Sequence, residues 1–433
     1  MISIMELTGL PVEKILNRDI QGSLPQIDAA VDAILADVRE NGDAALRKYA
    51  RQFDGVELES LAVTEEEIDA AMETVDGEFL ETLRRAATNI REFHEKQVHQ
   101  DFTINRPDGC ILGQRWTPIE KVGVCVPGSP EPFPSTVLMD VIPARIAGVR
   151  EIVMVTPPAR NGSIRPEALA AARIAGVDTI IKAGGAQGVA ALAYGTETVP
   201  AVDKIVGPGG LFVATAKRKV FGRVDIDMIA GPSEILVLAD GKCDPRWVTA
   251  DLLSQAEHDI MASAVLVTES RELALAVQAE LEIQLAQLPR QDVARKSIDD
   301  NGKILIAADM RQALAAVNAI APEHLELCVD DPFALLGEIR NAGSVFLGRH
   351  VSEALGDYYG GPNHTLPTSG TARFSSPLGV DDFMKRSSFL YYTPEALAEC
   401  ALRIADFAER EGLHAHARSV TIRSETTEDE VTL

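Results

Sequence analysis

A chain of 433 residues is longer than one ordinary hydrophobic core serves, so two or more domains are expected. Its 46% hydrophobic and 24% charged residues are those of a soluble globular protein, and no run of about 18 apolar residues marks a membrane span. A formal charge of −24 opposes binding to nucleic acid or an anionic membrane and suits an enzyme acting on a small molecule, although acidic solubility explains it equally well.

Taken in chain order, the first hundred residues read as helices. Apolar positions recur at helical spacing from Ile27 to Phe53, interrupted at Gly42-Asp43, and again from Glu65 to Glu95. From about 122 the texture changes to short Val- and Ile-rich runs, each followed by a helical stretch: 122–126, 151–156, 179–182 and 204–206. A second series follows at 235–239, 264–268, 303–307, 325–329 and 344–347, and the segment 225–232 carries the chain between the two. Repeated strand–turn–helix units predict parallel sheets covered by helices. The expected fold is therefore α/β, with two Rossmann-like parallel-sheet domains, a helical N-terminal arm and a helical C-terminal segment. Residues 1–24 are assigned to the arm, 25–121 with 236–379 to the first α/β domain, 122–235 to the second, and 380–433 to the C-terminal segment.

The five cysteines, Cys110, Cys125, Cys243, Cys328 and Cys400, are scattered and form no C-x-x-C pair. Free thiols in a reducing cytoplasm follow, and a cysteine-based zinc site does not. The N-terminus carries Glu6 and no basic stretch before a long apolar run, unlike a signal peptide.

Chemistry-bearing side chains gather after position 250. Asp244-Pro245 is a strong helix start, which puts Gln255 and His258 on one face near the helix end. That pair reads either as metal ligands or as a histidine favoured by the helix dipole. Glu323-His324 falls at a helix-to-strand junction, as two acid–base groups at the mouth of a sheet or as a solvated loop pair. Asp357 and His364 share a glycine-rich loop, a setting for site residues and also for plain turn formers. Glu411 and His416, five apart, reach one pocket only if the helix breaks near Gly412. Glycine turns at 184–185 and 207–210 precede helices and could cradle a phosphate, but neither is a G-x-G-x-x-G or Walker motif.

Together these strings resemble the histidinol dehydrogenase family from about residue 25 to 422. The segments that carry it include FPSTVLMDVIPARIAGV (133–149), GGAQGVAALAYGTETVP (184–200), IDMIAGPSEILVLAD (226–240), DLLSQAEHD (251–259), APEHLEL (321–327), GDYYGGPNHTLPTSGTARFSSPLGVDDF (356–383) and EGLHAHARSV (411–420). The resemblance implies one zinc per subunit held by Gln255, His258, Asp357 and His416. It implies His324 as general base and Glu323 as the activator of water. Ser233, His364 and Glu411 match further substrate contacts, and the zinc ligands and His324 also face the substrate. NAD contacts fall at Cys125, Gln187 and Gly210. Two of these depart from the family pattern: Cys125 stands where an aromatic is usual, in Cys125-Val-Pro-Gly-Ser129, and Gly210 where an asparagine is usual.

The implied activity is the zinc-dependent, four-electron oxidation of L-histidinol to L-histidine through the aldehyde with two NAD, the last step of histidine biosynthesis. The implied assembly is a cytoplasmic homodimer whose C-terminal segment completes the partner's site. Three other readings stay open. One is a relative oxidising another small alcohol such as a sulfonated diol. The others are a zinc- and ligand-binding homologue with impaired NAD use, and a zinc hydrolase built on Glu323.

Overall fold

The computed structural model describes residues 1–8, 15–16, 25–128 and 131–424. Contacts divide the chain into two compact units, Met1–Val98 with Ile119–Phe383, and His99–Pro118 with Met384–Leu433.

The larger unit holds two parallel sheets. The five-stranded one runs Thr179–Lys182, Glu151–Thr156, Lys121–Cys125, Lys204–Val206, Asp225–Ile226 in spatial order. The six-stranded one runs Ser3–Glu6, Lys303–Ile306, Ser263–Thr268, Glu234–Ala239, His324–Cys328, Ser344–Leu347. Both are built from near-continuous apolar runs, as strands covered on both faces must be: Glu234–Ala239 and Ser263–Thr268 are buried throughout. The expected parallel α/β architecture is borne out, and the strands at 151–156, 179–182, 204–206 and 344–347 fall at their expected limits.

Three features differ from expectation. The helices of 25–98 pack mainly beside the five-stranded sheet, on its crossover helices, and share one compact unit with 119–383. Val31, Ile34, Leu35, Val38 and Leu46 of helix Pro25–Tyr49 pack with Val153, Ile181 and Val189. Ile68, Leu80, Leu83 and Ile90 of the next two helices, Glu65–Thr74 and Gly77–His94, pack with Val122, Val124 and Met154. They pack chiefly on that sheet's own crossover helices, Pro134–Ala147, Pro166–Ala175, Gly185–Tyr194 and Leu211–Val220. Second, the start of the expected N-terminal arm is a strand: Ser3–Glu6 pairs in parallel with Lys303–Ile306. The rest of that arm lies mostly outside the described residues, as do Ser129 and 425–433. Third, the 380–433 segment is not helical throughout. Met384–Tyr391 pairs antiparallel with Ile111–Pro118, which pairs with Phe102–Asn105, and helices Pro394–Arg410 and His414–Thr421 follow. The buried cluster of the smaller unit, Ala405, Ala408 and Ala417, lies between these two helices.

The break expected at Gly42-Asp43 is present. Gly42 takes φ 50° and ψ −128°, and a Cβ there would stand 2.3 Å from Glu197 Oε2. Asp43 is buried and accepts hydrogen bonds from the Thr196 and Thr198 hydroxyls, which ties the helix to the loop before Lys204–Val206.

Candidate active site

Within the larger unit a pocket of about 580 Å³ opens between the carboxyl ends of the five-stranded sheet and the amino ends of the six-stranded one. From the first sheet come Pro127, the loop Gly207–Gly210 and Asp227; from the second come Ser233, Glu323 and His324. The acid–base pair thus sits at the amino edge of its sheet, where a bare sheet rule would not place it. The other sheet supplies the carboxyl edge.

Each side chain is delivered by an identifiable local device. Asp244 caps helix Pro245–Ala256 by accepting the Arg246 N–H at 2.9 Å, and this helix carries the buried Gln255 into the pocket wall. His258 lies just past the helix end, its N–H bonded to Gln255 O at 3.1 Å, and is open to solvent through the pocket. Glu323 and His324 follow the buried Ala321, whose left-handed φ of 51° ends the preceding helix and turns the chain into the strand. Asp357 projects from the single wide turn Gly356–Gly360, and His364 Nδ1 bonds back to Asp357 O at 3.0 Å.

His324 Nδ1 lies 3.0 Å from the Glu234 carbonyl oxygen. A carbonyl only accepts, so Nδ1 carries the hydrogen, and Nε2 is the atom that gains or loses a proton on the pocket side. Nε2 stands 3.5 Å from Asp357 Oδ1, and Nδ1 stands 3.6 Å from Glu323 Oε2. Glu323 Oε2 accepts the Glu234 N–H at 2.8 Å, which fixes the carboxyl. Burial pushes Glu323 up to about 8, with the neighbouring imidazole limiting the rise. Burial alone would discharge His324, but the carboxylates of Glu323 and Asp357 outweigh it and raise the imidazole to about 10. Both groups hold protons more tightly than in water, so each must release its proton before it can accept one from a substrate.

Three buried polar atoms here have no hydrogen-bond partner: Gln255 Oε1, Asp357 Oδ1 and His324 Nε2. Unpaired buried groups of this kind are costly, and several together mark a place built for a ligand. Oxygen and nitrogen donors without a thiolate suit a divalent cation such as zinc. Glu353 adds to the set: ligand atoms of His324, Glu353 and Asp357 lie within 4.8 Å of one another. Its carboxyl accepts the Ser254 hydroxyl at 2.5 Å, and burial raises it to about 7. Sequence reasoning missed Glu353, although it stands one helical turn before Asp357. It also missed Thr365 and Thr368, which line the pocket.

Of the expected residues, the larger unit brings together Ser233, Gln255, His258, Glu323, His324, Asp357 and His364, with Gly210 on the opposite wall. Cys125 and Gln187 are buried and do not line this pocket. The Cys125 thiol packs in the apolar core under the sheet, where burial pushes it up to about 12. Glu411 and His416 belong to the smaller unit, where both are exposed.

Fold and pocket define a two-sheet α/β protein in which a buried Glu–His pair faces a glycine loop. The family model for histidinol dehydrogenase matches residues 18–424. The chain is 54% identical over 400 residues to a histidinol dehydrogenase from Listeria monocytogenes, covering 92% of this chain and 93% of that protein. It is 52% identical to one from Bacillus subtilis, covering 94% and 96%. The crystal structure of histidinol dehydrogenase from Elizabethkingia anophelis superimposes with a TM-score of 0.92 at 36% identity, covering 98% of each chain. The chain belongs to the histidinol dehydrogenase family and is an NAD-dependent oxidoreductase. Among the described residues no helix is long and apolar enough to cross a membrane.

Proposed function

We propose that the protein oxidises L-histidinol to L-histidine through the aldehyde, using one zinc per subunit and two NAD. The observation that carries this reading is the convergence of Gln255 Oε1, Asp357 Oδ1 and His324 Nε2, all buried and unpartnered, beside Glu323. Gln255, His258 and Asp357 would hold the zinc, joined by His416 from the exposed end of a second copy's C-terminal unit. In this reading Glu411 of that copy and His364 and Ser233 of this one contact the substrate. When bound, zinc supplies a Lewis acid that fixes the substrate and acidifies its hydroxyl. Bound NAD would supply the hydride acceptor for each oxidation, and the loop Gly207–Gly210, where a Cβ on Gly210 would meet open space, would hold its phosphates. Cys125 would then act from beneath the loop, where its carbonyl oxygen meets Gly207.

His324 Nε2 takes the hydroxyl proton as the first C–H bond breaks. Glu323 takes a proton from water as its oxygen adds to the aldehyde carbon, giving a hydrate. His324 accepts a hydroxyl proton from that hydrate during the second oxidation. One water is consumed, and two hydrides and three protons leave. The unpaired cysteines accord with a cytoplasmic enzyme. Steady-state NADH formation by the zinc-loaded protein tests the proposal: turnover with histidinol and none with a sulfopropanediol is expected. The reverse preference would replace the substrate, and no NADH with either would leave a binding protein.

A further inference from the structure

The loop that faces the cofactor side reads Gly207-Pro208-Gly209-Gly210 and carries no polar side chain. Whatever it recognises must be met by backbone groups, so its usefulness depends on how firmly the backbone is held. Gly207 has φ +104°, and a Cβ there would stand 2.2 Å from the Cys125 carbonyl oxygen. Both of its backbone polar groups are claimed by one buried ion pair. Asp227 Oδ2 accepts the Gly207 N–H at 2.8 Å, and Lys217 Nζ donates to Gly207 O at 2.9 Å. Lys217 and Asp227 are salt-bridged to each other, with side chains 3% and 1% exposed. Lys217 sits on helix Leu211–Val220, which the loop leads into, and Asp227 directly follows strand Asp225–Ile226. The pair therefore joins the loop to the helix after it and to the next strand of the sheet.

A buried ion pair is weak evidence of stabilisation, because apolar residues of similar volume often serve a fold as well or better. What this pair supplies that apolar residues would not is a fixed direction for the N–H and C=O of the residue that opens the loop. We propose that Lys217 and Asp227 are positioning residues for NAD: they pre-organise the backbone of 207–210 so that cofactor binding does not have to order it. The inference rests on the reading that NAD binds at this loop.

The test compares zinc-loaded wild-type enzyme with the double variant K217M/D227N and the single variant K217Q. The double variant removes both charges and keeps an acceptor for the Gly207 N–H; K217Q keeps a donor for the carbonyl. Dissociation constants for NAD and for histidinol are measured separately by calorimetry, and folding is checked by thermal melting. The proposal expects NAD binding to weaken at least tenfold in a folded variant while histidinol binding stays within twofold. Unchanged NAD binding, or equal weakening of both ligands, would overturn it. So would failure of both variants to fold, which would assign the pair to stability alone. A third variant, Gly210→Glu, separates this from the underlying reading: the space around Gly210 is open, so the variant folds and sets a negative charge against the phosphates. Unaltered NAD binding there would mean that the cofactor binds elsewhere. Weakened binding there, with the pair variants unaffected, would sink only the positioning role.

Discussion

Replacing Glu323 with Gln separates the two oxidations, because the mechanism assigns this carboxylate to hydration alone. The side chain keeps its size, and a Gln oxygen can still accept the Glu234 N–H that Glu323 Oε2 now takes at 2.8 Å. Folding and substrate binding should therefore change little. What is lost is the proton acceptor for water. A positioned general base contributes about 10²–10⁴-fold, or roughly 3–5 kcal/mol of barrier. The first hydride transfer should proceed at close to the wild-type rate, and the aldehyde should then persist. The assay is a single turnover with enzyme in excess of histidinol, NADH followed by absorbance and the aldehyde trapped with a carbonyl reagent. Wild-type enzyme should give two NADH per histidinol. The variant should give one quickly and the second about 100-fold or more slowly. A variant that releases both at wild-type rates, or that loses the first as well, would refute the division of labour between Glu323 and His324.

Asp357→Ala should weaken zinc binding by more than about 100-fold, beyond the 10–100-fold typical of a supporting residue, and Glu353→Ala should fall inside that supporting range; metal titration of the chelated protein ranks the two. Gly207→Ala should cost roughly 2–4 kcal/mol, from a left-handed φ combined with a Cβ set 2.2 Å from the Cys125 carbonyl, and denaturant unfolding reads it directly. Asp140 predicts a pH effect on stability. It is fully buried, accepts the Thr365 hydroxyl at 2.8 Å, and burial raises it from 3.8 to about 8, with Asp227 adding to the rise and Lys217 opposing it. Its folded-state value lies above its unfolded one, so its contribution is complete below about pH 4 and is lost as pH rises to about 8. Asp140→Asn should therefore gain stability relative to wild type between pH 5 and pH 8.5, measured as melting temperatures; a difference that does not change with pH would count against it.

Local signals carried much of this structure. Asp244-Pro245 marks a helix start that the fold keeps, Gly42-Asp43 marks a real break, and the apolar runs of both sheets are strands because burial on both faces leaves no other pattern. Each site residue, by contrast, was ambiguous where it stood. Gln255, His324 and Asp357 are separated by 69 and 33 positions in the chain, and only folding brings their unpartnered atoms to one pocket. The sheet of the smaller unit was invisible because Met384–Tyr391 and Phe102–Asn105 are largely exposed and show no alternation. The direction of Cys125 was equally unreadable, since four of the five residues of Lys121–Cys125 are buried. Nothing in the sequence singles out Lys217 and Asp227; the fold places Gly207 between them.

The central claim is a four-electron oxidation in one pocket, and the product balance tests it most directly. Zinc-loaded protein given limiting histidinol and excess NAD should yield one histidine and two NADH for each histidinol consumed, with no free aldehyde at the end. One NADH with aldehyde as the final product, or no NADH at all, would contradict the account.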